Sequence, residues 1–205
     1  MISPKDFIVP IFTTRDATYR LKKSAHAVAG ILKRETSAGR TIRVRKGLYA
    51  FPENKEGLLD ALILSPIIYG PSYISLEYAL SYHGLIPESV VTITSVSQGK
   101  SKHFSTPLGE FSYQRVPQQI LYSQVERVEG QGGGCFFMAT PLKALCDTLY
   151  CHKKKWLHLT DACRDLRIDP EDLPQMTGAE VDELIGNYKN STIRNFLMAI
   201  KKEVA

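Results

Sequence analysis

Two periodicities organise the first quarter of the chain. Ala25, Val28, Ile31 and Leu32 recur at helical spacing. Ser24 stands before them as an N-cap, so AHAVAGILKRETSAG is predicted to be an amphipathic helix ended by Gly39. A shorter helical stretch, RDATYRL, precedes it. Thr13 and Asp16 there have the spacing of a capping box, Leu21 ends the helix, and Lys22, Lys23 and Ser24 form the turn between the two. After Gly39 the period changes to two. In TIRVRKGLYAF, Ile42, Val44, Leu48 and, less strictly, Ala50 face one way and Arg43 and Arg45 the other, with Lys46–Gly47 as the turn. Helix, short turn, helix and hairpin is the order of a winged helix-turn-helix.

The rest of the pattern is mixed. EGLLDALILSPII is predicted helical up to Pro66, and Gly70–Pro71 breaks the chain. Ser72 to Leu85 reads as a helix capped by Ser75, with Glu77 in its first turn and Gly84 as its stop. Val90 to Val96 is a strand by its β-branched content, and Lys102 to Ser105 and Phe111 to Val116 are strands around Pro107–Leu108–Gly109. Gly130 to Gly134 is a flexible connector, and Cys135 to Met138 a short buried strand. Thr140 caps a helix with Pro141 at its first position, and Leu142, Leu145, Cys146 and Leu149 share a face. LHLTDACRDLRI, a PEDL turn, GAEVDELIGNY and STIRNFLMAIKKE form a helical end. The expected fold is α+β. A winged helix-turn-helix over residues 1–53 is followed, over residues 54–205, by a mixed domain with a small antiparallel sheet and a helical C-terminal tail.

Charge changes the picture most. Residues 1–50 hold 11 Lys and Arg against 3 Asp and Glu, a net of +8 in a chain of net +5, which leaves −3 for residues 51–205. A basic head on a mildly acidic body points to a polyanionic partner, double-stranded DNA. In that reading the second helix enters the major groove with Ser24 and His26, and Ala27 beside them, nearest the base edges. Lys22 and Lys23 sit where a helix N-terminus meets phosphate, Lys33 and Arg34 lie further along, and Arg43, Arg45 and Lys46 extend from the wing. The competing reading is a solvated basic face on a module that touches protein. Hydrophobic residues make up 43% of the 205, no apolar run approaches the roughly 20 needed to span a bilayer, and MISPKDFIVPIF carries no secretion signal; the expected location is the cytoplasm.

Candidate chemistry is sparse. Cys135, Cys146, Cys151 and Cys163 form no C-x-x-C pair and are expected as buried free thiols; Cys146, Cys151, His152, His158 and Cys163 match no zinc pattern, so no metal is expected. Gly130, Gly132, Gly133 and Gly134 lack the Lys-Ser/Thr of a phosphate loop, and no cofactor is expected. Lys143 and Asp147 are spaced as a surface ion pair; a nuclease would need Asp147, Lys143 and Glu110 to converge on a metal. His83, near a helix end, is expected to pack or cap. Lys153–Lys154–Lys155 beside Trp156 is a second basic cluster, expected as a solvated loop with added DNA phosphate contacts as its alternative. The chain is expected not to be an enzyme.

Four of these segments, in order, resemble blocks of the AbiEi-type antitoxins: RVRKGLYAF, SYISLEYALSYHGLI, TPLGEFSY and ATPLKALCDTLY. Together they cover residues from about 40 to 150, and residues 151–205 are matched loosely, by helical character alone. The resemblance implies a type IV toxin–antitoxin system linked to abortive phage infection. It implies a winged helix that binds repeats upstream of its own operon and represses it, and a following region that carries antitoxicity. A nucleotidyltransferase-like toxin is the implied partner. It transfers no catalytic residue, and it adds weight to Arg43, Arg45, Lys46, Gly47 and Tyr49 in the wing, with Gly47 shaping the turn and Tyr49 packing. Two other readings stay open: a stand-alone regulator with a ligand- or protein-sensing body, and a DNA-acting enzyme.

Overall fold

The structure is a computed structural model and describes residues 11–52, 60–130 and 134–204. It is α+β. The chain opens with β1 (Ile11–Thr13), α1 (Thr14–Leu21), α2 (Ala25–Ser37), β2 (Ile42–Arg45) and β3 (Leu48–Ala50). The three strands form a small antiparallel sheet in the order β1-β3-β2. The local chemistry is the one the sequence asks for. Asp16 N donates to Thr13 Oγ1 at 3.1 Å while Thr13 N donates back to Asp16 Oδ2 at 2.7 Å, closing the capping box. Ser24 Oγ accepts from Ala27 N at the start of α2. Gly39 and Gly47 take positive φ values of 70° and 81°, which end α2 and turn the hairpin. Phe12, Ala17, Val28, Leu32 and Phe51 make the core between the helices and the sheet.

The other face of that sheet is not free. Ile11, Val44, Leu48 and Ala50 join the main core of the body, together with Leu64 and Ile68. A register shift between Arg43 and Arg45 makes Val44 an extra residue in β2, so the simple alternation fails there. Val44 is buried and Arg45 turns inward as well: its Nε donates to the Ile68 carbonyl at 2.7 Å.

The body contains α3 (Ala61–Ile68), β4 (Ser72–Ile74), α4 (Leu76–Tyr82), β5 (Ile93–Ser97), β6 (Lys102–Thr106), β7 (Gly109–Arg115), β8 (Val125–Glu129) and β9 (Cys135–Ala139). Then come α5 (Pro141–Cys151), α6 (Leu159–Leu166), a single 3-10 turn (Pro170–Asp172), α7 (Gly178–Asn187) and α8 (Ser191–Val204). Six strands form one sheet in the order β6-β7-β5-β4-β9-β8. It is larger than the small antiparallel sheet expected in the body, and it is mixed: β5 runs parallel to β7 and β4 parallel to β9. β6 lies outside β7, so β7 returns beside β5 in the same direction.

Several boundaries differ from the pattern reading. α3 continues through Pro66 to Ile68, and residues 56–59 of the expected helix lie outside the described residues, as do Gly132 and Gly133 of the glycine run. A Cβ on Gly70 would stand 2.5 Å from the Pro66 carbonyl oxygen, so the chain leaves α3 by a turn that only glycine fits. Ser72–Ile74, read as the first turn of a helix, is a central strand buried at every position. Ser75 precedes α4 but makes no side-chain cap. Thr94 does that work from the neighbouring strand: its Oγ1 accepts from Tyr78 N at 3.1 Å and donates to Ser75 O at 2.7 Å.

Lys143 and Asp147 are not a surface ion pair. Every residue of α5 from Leu142 to Thr148 is buried, because the helix runs through the middle of the body. Asp147 accepts from Tyr73 OH and Ser75 Oγ, each at 2.8 Å, and from Tyr188 OH at 2.6 Å. Lys143 Nζ donates to Tyr188 OH at 2.9 Å and to Gln118 Oε1, and Gln118 Nε2 donates to Tyr73 OH at 3.0 Å. Burial pushes the Lys143 ammonium below the usual lysine range against the attraction of Asp147, and pushes both tyrosines well above theirs. Each charged group is answered, so the network ties β4, α5 and the segments around Gln118 and Tyr188 into one body. Glu110 is not part of it; it pairs instead with Ser105 and His103 on the exposed sheet edge.

Candidate nucleic-acid interface

The outer face of α2 is built from small and cationic residues. Val28, Leu32 and Glu35 point inward. Ala25, His26, Ala27, Ala29, Gly30, Lys33, Arg34 and Ser37 are exposed. A solvated helix face ordinarily carries long charged chains of both signs; this one has four alanine or glycine positions and no acid in its first turn. The one carboxylate of α2 is withdrawn. Glu35 is buried and receives Arg40 Nε at 2.6 Å and Nη2 at 3.1 Å, and that hydrogen bonding holds its carboxyl below the usual range.

The N-terminus of α2 gathers four of the residues singled out in the sequence. Lys22 takes a left-handed conformation, φ 50°, which turns the chain sharply from α1 into α2. Lys22, Lys23, Ser24 and His26 are all exposed at that corner. Ser24 Oγ is engaged as the helix cap, so its hydroxyl proton is what it can still offer a ligand. Tyr19 and Arg20, which the sequence reading passed over, join Thr18, Lys22 and Lys23 around a depression of about 540 Å³. Tyr19 is 84% exposed. Its signal was present in the pattern: Ala17 and Leu21 take the inward face of α1, which leaves Tyr19 on the outer one.

The hairpin holds the rest. Arg43 and Lys46 are exposed. Thr14 N donates to Gly47 O at 3.0 Å, so the hairpin tip adjoins the first residue of α1. α1 has 8 residues, so the tip lies one helix length, about 12 Å, from the Lys22 corner. Arg45, expected on the outer face with Arg43, is half-buried, and its Nε and Nη1 donate to the Ile68 and Lys46 carbonyls. Tyr49 packs against Phe12, ring centroids 5.9 Å apart.

The remaining candidates lie elsewhere. His83 Nε2 contacts the Ala139 carbonyl at 2.9 Å, a packed position. Cys146 and Cys163 are buried free thiols, and Cys135 and Cys151 are half-buried. Burial raises the Cys151 thiol to about 12. Among the described residues no three His, Cys, Asp or Glu side chains are grouped to hold a metal ion, and no helix is long and apolar enough to cross a membrane. Compared with models of protein families and with curated protein sequences, the chain finds no match.

Proposed function

We propose that the chain is a non-enzymatic, DNA-binding autorepressor, with β1 to β3 acting as a winged helix-turn-helix. The observation that carries this reading is the outer face of α2: small, cationic and free of carboxylates, on a body of net −3. Ala and Gly at four positions let the helix backbone approach the floor of a major groove without side chains in the way. Lys22, Lys23 and the free N–H groups of the helix start hold phosphate, and Ser24 and His26 come nearest the base edges. Arg43 and Lys46 reach the backbone from the hairpin, and Arg20 and Tyr19 widen the phosphate contact at the corner.

We further propose that the protein is a cytoplasmic antitoxin of a type IV toxin–antitoxin system, with a nucleotidyltransferase-like toxin as partner. The four resembling blocks support this part. They fall on β2–β3, β4–α4, the β6–β7 turn and β9–α5, in order. A reporter fused to the chain's own upstream DNA tests both parts. The intact protein is expected to repress it, and the Lys22→Ala/Lys23→Ala variant to lose most of that repression while still rescuing growth when co-expressed with the neighbouring toxin gene. Repression that survives the double substitution contradicts the placement of the interface. Absence of such a gene, or of rescue, leaves the stand-alone regulator as the better account.

A further inference from the structure

A second cationic surface lies in the body, on the side formed by the end of β7, the chain after α5 and the start of α8. These elements enclose a cleft of about 660 Å³. That is the size range of small-molecule sites. Arg115, Lys153, Lys154 and Lys155 line it, and among the described residues no carboxylate does. This is a local concentration: residues 51–205 have a net charge of −3 with these four cations included. Lys154 is held at 2.8 Å by Asp165, which also accepts from the Trp156 indole N–H, so one salt bridge fixes the wall from behind. Arg115, Lys153 and Lys155 are exposed and pair with no acid among the described residues.

The cleft is not only cationic. α8, 14 residues long, starts at its rim, capped by Asn190, whose Oδ1 accepts from Ile193 N at 3.1 Å. Its positive end adds to the field of the three free cations. Its lining also has apolar members, Leu149, Trp156 and Leu157, of which Leu149 and Trp156 are buried core residues that reach the cleft only at their edges. Leu157 is 66% exposed, a large apolar side chain with no core to join. The amides of Gln114 and Asn195 also line the cleft and offer both donors and acceptors.

From this mixed lining, cations with an exposed leucine and two amides, we propose that the cleft binds a nucleotide. Its phosphates would lie against Arg115, Lys153, Lys155 and the start of α8, its base against Leu157 and the edge of Trp156, and its polar edges on Gln114 and Asn195. A simple anion leaves the apolar lining unused. A nucleic-acid strand needs cations continuing beyond the recess, on a body that is otherwise acidic. The proposal stands independently of whether α2 binds DNA.

The chain has one tryptophan, Trp156, so the site carries its own reporter. The intact protein is titrated with ATP and with GTP, following Trp156 emission with free tryptophan as the absorbance control and calorimetry in parallel to detect binding that leaves emission unchanged. Saturable binding of at least one of them, half-complete below about 1 mM, is expected. The Lys153→Ala/Lys155→Ala variant, altered only at exposed positions, is expected to weaken it about tenfold or more. Arg115→Ala is the second variant and is expected to act in the same direction. Tripolyphosphate and the bare nucleosides should each bind more weakly than the nucleotide. No saturable binding by either method overturns the proposal, as does binding that ignores all three cations. Tripolyphosphate binding as tightly as the nucleotide removes the base contacts from the site. A single-stranded oligonucleotide binding more tightly, with the same dependence on Lys153 and Lys155, makes the cleft part of a nucleic-acid track instead.

Discussion

Gly30 sits on the exposed face of α2, where an added Cβ would meet nothing within 4 Å. Glycine in a helix interior costs about 1 kcal/mol relative to alanine, so Gly30→Gln should raise or preserve the melting temperature. If α2 lies in a groove, the same substitution should reduce specific DNA affinity by about tenfold or more, because a long side chain holds the backbone away. Stability and binding moving in opposite directions would separate a binding face from a merely solvated one; binding that follows stability would argue against the groove. The two hairpin arginines should also separate. Arg43→Ala, at an exposed position, is expected to lower the slope of log K against log salt by about one. Arg45→Ala should leave the slope alone and destabilise the fold by about 1 to 2 kcal/mol, since it removes charged donors from the Ile68 and Lys46 carbonyls. Equal slopes for both variants would contradict the inward placement of Arg45.

At the scale of elements, the parts set by local chemistry were legible and the parts set by distant partners were not. Thr13, Ser24 and Thr140 all cap the helices they precede, and Ser24→Ala should cost about 1 kcal/mol in denaturant unfolding. The cationic corner was legible for the same reason, since Lys22, Lys23 and Ser24 belong to one short turn. β4 was not. SYISLEYAL carries helical spacing, and its first three residues become a strand only because β5 and β9 lie on either side to pair with them. Lys143 and Asp147 have the spacing of a surface pair and of a buried network alike. What decides is Tyr73, Ser75 and Tyr188, which are 74, 72 and 41 residues from Asp147. Asp147→Ala leaves three buried hydroxyls without their acceptor and the buried Lys143 ammonium without its counter-charge. It is expected to cost about 3 to 5 kcal/mol, read from the denaturation midpoint. A cost under about 1 kcal/mol would mean the network is not closed as described.

The molecule as a whole is held together across the boundary between head and body. Ile11, Val44, Leu48 and Ala50 belong to the same core as the body's central strands, so one cooperative unfolding transition is expected, monitored by Trp156 emission and far-ultraviolet dichroism together. One surface contact gives that stability a pH dependence. His152 Nε2 lies 2.5 Å from Glu77 Oε1, joining the end of α5 to α4. The hydrogen bond to Glu77 raises the pKa of His152, so its contribution is complete below about pH 6.5 and is lost as pH rises through the higher folded value. Burial alone would raise Glu77, but the hydrogen bond with His152, a backbone hydrogen bond and the charges of His152 and Lys154 together bring the pKa down. Its contribution is therefore present above the unfolded carboxylate range and lost as pH falls through the lower folded value. Stability from this pair should thus be greatest between the two ranges, and Glu77→Gln should flatten the loss on the alkaline side.

The central claim is that the head binds DNA by sequence, and fluorescence anisotropy tests it most directly. The intact protein is titrated into its own upstream duplex and into a scrambled duplex of the same composition, at several salt concentrations. The account expects the upstream duplex to bind tighter by about a thousandfold or more, with both affinities falling as salt rises. Equal affinity for the two duplexes, collapsing together with salt, would reduce α2 to a generic basic surface, and no binding to either would contradict the account outright.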